Sequence, residues 1–445
     1  DNINSNLWGE TWSSLSSSSN HTPINGELGS FYRPDGLLAN SDLKWETTIS
    51  RNLGLDFGFL NNRINGSLEI YWNTTKDLLM AVPVDNTTGY SYQFQNFGKT
   101  SNRGIELSLN FDVINKGDFR FNIGAIYNYN RNKLDELPNA DQYLYSSYWG
   151  SSSLVPTNDY MFVEGKAIGL VRGFVSEGFY TVNDFRYENG QYILKEGIPD
   201  ITKALTATYM HPFNIPNGQT AFPGAAKFRD VNNSGTVDLD DATCLGEVMP
   251  RHTGSFQLNF NYKNFDLSSN FNWTAGGKVY NVAAMINASG QELDGIGAQR
   301  TSWVADTYKV YNVNSSGDLY AVTDPNELNA LNANAKYHLP YHQSGITSSE
   351  WLEDGSYLRL QTLTLGYTLP HTVLNKIHIE KLRIYLTATN LFTITGYSGI
   401  DPEVNATPTG QSGFYSNLRV FPTLNMDFGT YPRARTFTLG ANITF

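Results

Sequence analysis

The string Asp230-Val231-Asn232-Asn233-Ser234-Gly235-Thr236-Val237-Asp238-Leu239-Asp240-Asp241 sets oxygen donors at the spacing of a calcium-binding loop. Asp230, Asn232, Ser234, Asp238 and Asp241 would offer side-chain oxygens at loop positions one, three, five, nine and twelve. Thr236 would offer its carbonyl at position seven, and Gly235 permits the sharp turn at six. Such a set suits a hard dication, calcium or magnesium, in a structural role. Ser at position five and Asp at twelve depart from the usual pattern. No flanking helices are evident, so the likeness is one of spacing. The same string also reads as an acidic Asn/Gly turn that carries no ion.

Other side chains offer less chemistry. His338 and His342 have a spacing that could share a metal, but Pro340 lies between them and no third ligand is evident. They read as loop histidines brought together by chance. Glu353-Asp354 reads as a solvated turn, and no acid/base pair can be assigned. No Gly-rich loop leads from a strand into a helix, so no phosphate cradle is expected. No catalytic residue is assigned, and the chain does not read as an enzyme. Tyr145, Tyr148 and Trp149, with Tyr143, form an aromatic-rich stretch. These rings would stack on a substrate, and equally would pack the loops themselves.

All of these residues fall in long connections between strands. Hydrophobic residues recur with period two, in pairs joined by short turns. Leu53, Leu55, Phe57 and Phe59 lead through Asn61-Asn62 into Ile64, Leu68, Ile70 and Trp72. Ile105, Leu107, Leu109 and Phe111 lead into Phe119, Phe121, Ile123 and Tyr127. Nine strands are expected near 44–59, 63–79, 95–113, 119–131, 253–262, 265–275, 355–370, 381–394 and 434–445. The alternation slips by one near Gln361, as at a β-bulge.

Two architectures share this period: a soluble sandwich and a transmembrane barrel. Three features favour the barrel. The strands run to about ten residues or more, the length that crosses a bilayer. Aromatics such as Trp45, Trp72, Tyr129, Tyr262, Trp273, Tyr367 and Phe445 stand near the ends of apolar faces. Short turns alternate with long loops at 73–94, 132–252, 277–354 and 395–434. Glu69, Glu106, Asn110, Arg120, Asn128, Asn259, Asn270 and Arg383 would then line a polar lumen.

Composition agrees. Among 445 residues only 16 % are charged and 13 % are aromatic, and the net charge of −11 disfavours nucleic acid as a partner. A single cysteine, Cys244, excludes a disulfide framework. No run approaches the ~20 apolar residues of a membrane helix. The N-terminus carries no signal peptide, so either a leader was removed or the chain is a piece of a longer one. Nine strands leave an edge that hydrocarbon does not tolerate. The expectation is therefore the C-terminal part of a larger barrel, with the rest upstream or on a separate chain.

Several stretches resemble the SusC-type TonB-dependent transporters of Bacteroidetes outer membranes. They are Asn40–Glu46, Gly54–Arg63, Asn102–Glu106, the loop at 228–241, Leu352–Leu360, Ala388–Phe392, Gly399–Glu403 and Tyr431–Phe437. Together they span nearly the whole chain in order. The resemblance implies an all-β, transmembrane antiparallel barrel of about 22 strands with an N-terminal plug, of which residues 1–445 would be the C-terminal portion. It also implies residence in the bacterial outer membrane and active import of oligomeric nutrients. Glycans are the foremost cargo, and peptides are carried by some relatives. Expected partners are TonB, a SusD-type surface lipoprotein acting as a lid, the N-terminal plug and strands, and outer-membrane lipid. In such proteins the 228–241 loop looks like a metal-stabilised element of an extracellular loop. The plug is not seen in this chain. The rival expectation is a secreted soluble β-rich protein that binds or degrades carbohydrate.

Overall fold

The computed structural model describes residues 15–445 apart from 25–26, 35–36, 91, 97, 138–141, 148–153, 206–210, 290–304, 340–344, 375–378 and 405–423. Nine long strands form one continuous antiparallel sheet. They are β1 (Thr47–Phe59), β2 (Ile64–Lys76), β3 (Lys99–Lys116), β4 (Phe119–Glu136), β5 (His252–Tyr262), β6 (Phe265–Ala275), β7 (Tyr357–Thr368), β8 (Lys381–Thr395) and β9 (Thr436–Thr444). Each pairs with its neighbours in sequence, so the sheet is an up-and-down meander from β1 to β9. This is the transmembrane-barrel fold expected from the alternation. All nine strands lie where they were read, with ends shifted by a few residues.

The tight turns show why the hairpins close where they do. Leu60, Asn61 and Asn62 all have positive φ (51°, 54° and 61°), a region that asparagine tolerates better than most residues. Gly117 (φ 58°) and Lys263 (φ 53°) turn the next two hairpins. The slip near Gln361 is a true register shift. Asn270 pairs with Thr362 but Phe271 pairs with Leu360, and β7 and β8 shift at the same point.

One sheet face is apolar. Leu53, Leu55 and Phe59 stand 58–64 % exposed. Such a face in water would be a large aggregation surface; in a bilayer it meets lipid. Aromatics mark both margins. Tyr262, Phe265 and Tyr367 gather at the short-turn end, and Tyr127, Trp273 and His252 at the other. Among the described residues no helix is long and apolar enough to cross a membrane. The crossing is made by strands.

The long connections all emerge at the opposite end from the tight turns, and there they fold together. One apolar cluster joins Leu134, at the end of β4, to Met80, Tyr160, Val248, Tyr280, Met285, Trp351 and Met426, drawn from four different connections. Short strands stitch it. Residues 278–281 pair with 352–354 on one side and with 426–427 on the other. A second cluster centres on Phe174, Tyr180, Tyr192, Phe222, Phe228 and Leu328.

Candidate functional site

The acidic loop hangs from the second cluster. It leaves the strand Ala226–Phe228, and Phe228 is buried there. Its second half is fixed by Thr236 and Val237, which pair in parallel with Asp200 and Ile201. Val237 and Ile201 are both fully buried. Polar residues are thereby forced into the exposed turn between two apolar anchors.

Within the turn, Gly235 takes φ 85° and Asn233 φ 58°. The Ser234 amide lies 3.1 Å from Asp230 Oδ1 and 2.8 Å from Asn232 Oδ1, and the Gly235 amide donates to Asp230 Oδ2 at 2.7 Å. Ser234 Oγ donates to the Thr236 carbonyl at 2.8 Å. Asp230, Asn232, Ser234 and Thr236 are therefore tied together by hydrogen bonds inside the turn. The other two expected donors are directed elsewhere. Asp238 Oδ1 caps the short 3-10 turn Leu239–Asp241 by accepting from the Asp240 amide at 2.8 Å. Asp241 is buried and accepts backbone N–H groups of Val231, Asn232 and Asp238 at 2.7, 3.2 and 2.9 Å. Among the described residues, no three His, Cys, Asp or Glu side chains converge as a metal site. Asp230, Asn232, Ser234 and Thr236 are thus engaged within the turn, and Asp238 and Asp241 hold the loop backbone.

The aromatic expectation changes more. Tyr145 is 4 % exposed and sits inside the first cluster, stacked on Phe162 with centroids 4.7 Å apart and close to Tyr160. Burial raises its phenol pKa, with the Asp159 carboxylate adding to the effect. A ring enclosed in this way has no face for cargo, so Tyr145 is a packing residue here. The cause is that neighbours from other loops, unseen in local sequence, cover it. Tyr148 and Trp149 lie outside the described residues, as does His342. His338 is buried, with Nδ1 2.6 Å from its neighbour's carbonyl and Nε2 3.6 Å from Glu350.

The polar face of the sheet carries the expected lining. Glu69 and Glu106 are directly opposed across β2 and β3, with Asn128 beyond them on β4. Asn52 donates to Glu69 at 3.0 Å. Arg383 grips Asp266 with two nitrogens, at 2.9 and 2.5 Å. One constellation escaped the sequence reading. Arg359 of β7 is 3 % exposed and binds Asp401 at 2.5 Å and Glu403 at 2.9 Å, while Arg433 binds Glu403 at 2.7 Å. This network ties the last long loop to the sheet. Its signal in sequence was an arginine at an inward strand position, which calls for an acidic partner.

The profile of the family described as TonB dependent receptor-like, beta-barrel matches residues 8–391. The chain is 30 % identical over 407 residues to TonB-dependent receptor P3 of Formosa agariphila, covering 92 % of this chain and 35 % of that protein. It is 27 % identical over 414 residues to TonB-dependent receptor SusC of Bacteroides thetaiotaomicron, covering 91 % and 32 %. The chain thus spans about a third of the length of the curated relatives it matches. Among solved structures, the RagAB peptide transporter superposes with a TM-score of 0.64 at 20 % identity, covering 98 % of this chain and 39 % of that one. That likeness concerns the fold.

Proposed function

Because the chain belongs to the TonB-dependent receptor-like β-barrel family, and so is an outer-membrane protein, we propose that it forms the channel wall and outer loops of an active importer of oligomeric nutrients. Its membership overturns the soluble secreted reading, and the bare apolar face gives the physical reason: that face needs hydrocarbon, not water.

The observation that carries the proposal is the joining of the sheet to one mass of co-folded loops on a single side. A passive pore needs only a wall. A shared core built from four connections, pinned to the wall by Arg359, makes a firm platform for capture and for a lid. We assign the lid to a SusD-type surface lipoprotein and the energy to TonB, acting through a plug in the wider assembly. Among the described residues the outer edges of β1 and β9 have no partner strand, which supports a larger closed barrel, with residues 1–445 proposed as its C-terminal portion, since open edges do not survive in lipid. A glycan is our first choice of cargo and a peptide the second. Nothing in the site calls for catalysis.

The test is uptake by cells carrying the full-length protein, supplied with labelled oligosaccharides and, separately, labelled oligopeptides. We expect energy-dependent accumulation of one class and co-purification of a lipoprotein. Accumulation that persists when the proton gradient is collapsed would reduce the proposal to a passive pore.

We further propose that the 230–241 loop takes a calcium ion, or magnesium, as a structural brace. The donor spacing and the clustering of Asp230, Asn232, Ser234 and Thr236 within one hydrogen-bonded turn support this. The ion would offset the negative charge of Asp230, Asp238 and Asp241 in one short turn.

A further inference from the structure

Across β1–β4, Arg51 pairs with Trp72, Trp72 with Arg103, and Arg103 with Arg131. The four residues form one row over four neighbouring strands. Their face is fixed by the residues beside them. Asn52 donates to Glu69, Tyr71 to Asn130 at 3.2 Å, and Asn132 to Asn102 at 3.0 Å, all on the polar face. The pleat therefore turns Arg51, Trp72, Arg103 and Arg131 outward. The next outward row toward the tight turns is wholly apolar or aromatic: Leu53, Ile70, Ile105 and Tyr129.

The height of the row follows from counting. Arg51 precedes Phe59, at the tight-turn end of the apolar face, by eight residues. At about 3.3 Å per residue and a tilt of roughly 40°, that is about 20 Å along the membrane normal, most of the ~25 Å apolar band. Arg131 follows Phe119, at the tight turn between β3 and β4, by twelve residues, about 30 Å on the same scale, so the row climbs from the rim of the band at Arg51 to just above it at Arg131, on the long-loop side. All three arginines are exposed, and none has an acidic partner among the described residues. The next rows toward the loops add Lys133, Lys76 and Lys99, with Asp135 and Glu136 engaging Lys133 (3.4 Å) and Lys99 (3.0 Å). A chain of net charge −11 has therefore placed an excess of cations on this one rim.

We propose that Arg51, Arg103 and Arg131 bind the phosphorylated headgroup of a lipid in the outer leaflet. Arg103 and Arg131 are directly opposed, so their Cβ atoms are about 5 Å apart, a like-charge pairing that is unfavourable without a counter-charge. A phosphate supplies it, and the planar guanidinium fork matches phosphate oxygens two at a time. The apolar row just below seats acyl chains of the same molecule, which favours a lipid over a free anion. This inference rests on the outer-membrane reading of the barrel.

The test uses the full-length protein purified in detergent, with folding checked first by heat-modifiable migration. Protein that shows no such barrel signature would indict the outer-membrane reading itself, separately from the lipid site. The folded protein is then titrated with lipid A carrying its phosphates, with dephosphorylated lipid A and with inorganic phosphate, and bound lipid is counted by native mass spectrometry. The expected result is saturable binding of phosphorylated lipid A, weakened at least tenfold in the Arg51→Gln/Arg103→Gln/Arg131→Gln variant and unchanged in Arg120→Gln, whose residue lies on the polar face. Equal binding of dephosphorylated lipid A, equal binding by the triple variant, or inorganic phosphate competing at comparable concentration would each overturn the proposal. If the triple variant fails to fold, Arg103→Lys in its place must still retain lipid while Arg103→Glu loses it; retention by Arg103→Glu overturns the assignment.

Discussion

Arg359 and Asp401 lie 2.5 Å apart with side chains only 3 % and 8 % exposed, though 42 residues separate them. Removing one partner strands a buried charge, which costs about 3–5 kcal/mol. Arg359→Met should therefore loosen residues 396–404 and lower the unfolding midpoint of the detergent-solubilised protein. Glu403→Gln should cost much less, because Glu403 is 42 % exposed and its pairing is screened. Limited proteolysis with site mapping reads both; an Arg359→Met protein clipped no faster than the parent would show that the pair does not anchor the loop.

The orientation of the sheet is open to a paired substitution. Leu107 sits midway between the row of Arg103 and the position of Phe111 on β3, and it pairs with Leu68 and Tyr127 on the apolar face. Because its partner Tyr127 stands at the long-loop margin, Leu107→Arg should cost about 1–2 kcal/mol, short of the about 2–4 kcal/mol of a midplane site. Ser108→Arg, one residue on and facing the lumen, should be far milder. Reversible folding into vesicles followed by denaturant titration measures the difference, and equal costs would mean the faces are wrongly assigned.

An acid-sensitive point lies in the second loop cluster. Burial alone would raise the Asp184 carboxyl. The Lys227 ammonium at 2.9 Å and the Thr181 amide and hydroxyl outweigh it and hold the group below the usual carboxylate range. A group lowered on folding stabilises above its unfolded pKa of about 3.9, and that contribution disappears as pH falls through the lower folded value. Hydrogen exchange over 181–195 should therefore quicken below about pH 4. Asp184→Asn should show the faster exchange already at neutral pH and little further change on acidification. An acid response identical to that of the parent would place the sensitive group elsewhere.

The strands were legible because each alternates against a uniform surroundings of lipid on one side and water on the other. Local sequence then carries the whole signal, down to the bulge at Gln361. The loop mass was not legible for the opposite reason. Its core brings Met80, Tyr160, Tyr280 and Met426 together from connections far apart in the chain, and no local period marks them. Tyr145 looked like an exposed loop aromatic because the residues that bury it come from those distant segments. Arg359 drew no notice in the sequence because its partner Asp401 lies 42 positions away. The acidic loop is intermediate. Its donors follow a fixed local spacing, yet the buried role of Asp241 depends on how the turn folds back on Val231.

That double role makes the ion testable apart from the fold. Asp241 serves the backbone of its own loop, so Asp241→Ala should destabilise the loop with or without calcium. Three backbone N–H groups lose their acceptor, at about 1–3 kcal/mol for each one left buried. Asp238→Asn is different. An amide oxygen can still cap the Asp240 N–H, so the turn should survive in a chelator while the charge that attracts a dication falls by one. The expected pattern is a melting temperature of the parent that rises with added calcium, a smaller rise in Asp238→Asn from the same chelated baseline, and a lowered baseline in Asp241→Ala. Scanning calorimetry of the three proteins with chelator and with millimolar calcium measures all of it. A parent protein indifferent to calcium would leave the loop as a hydrogen-bonded acidic turn and nothing more.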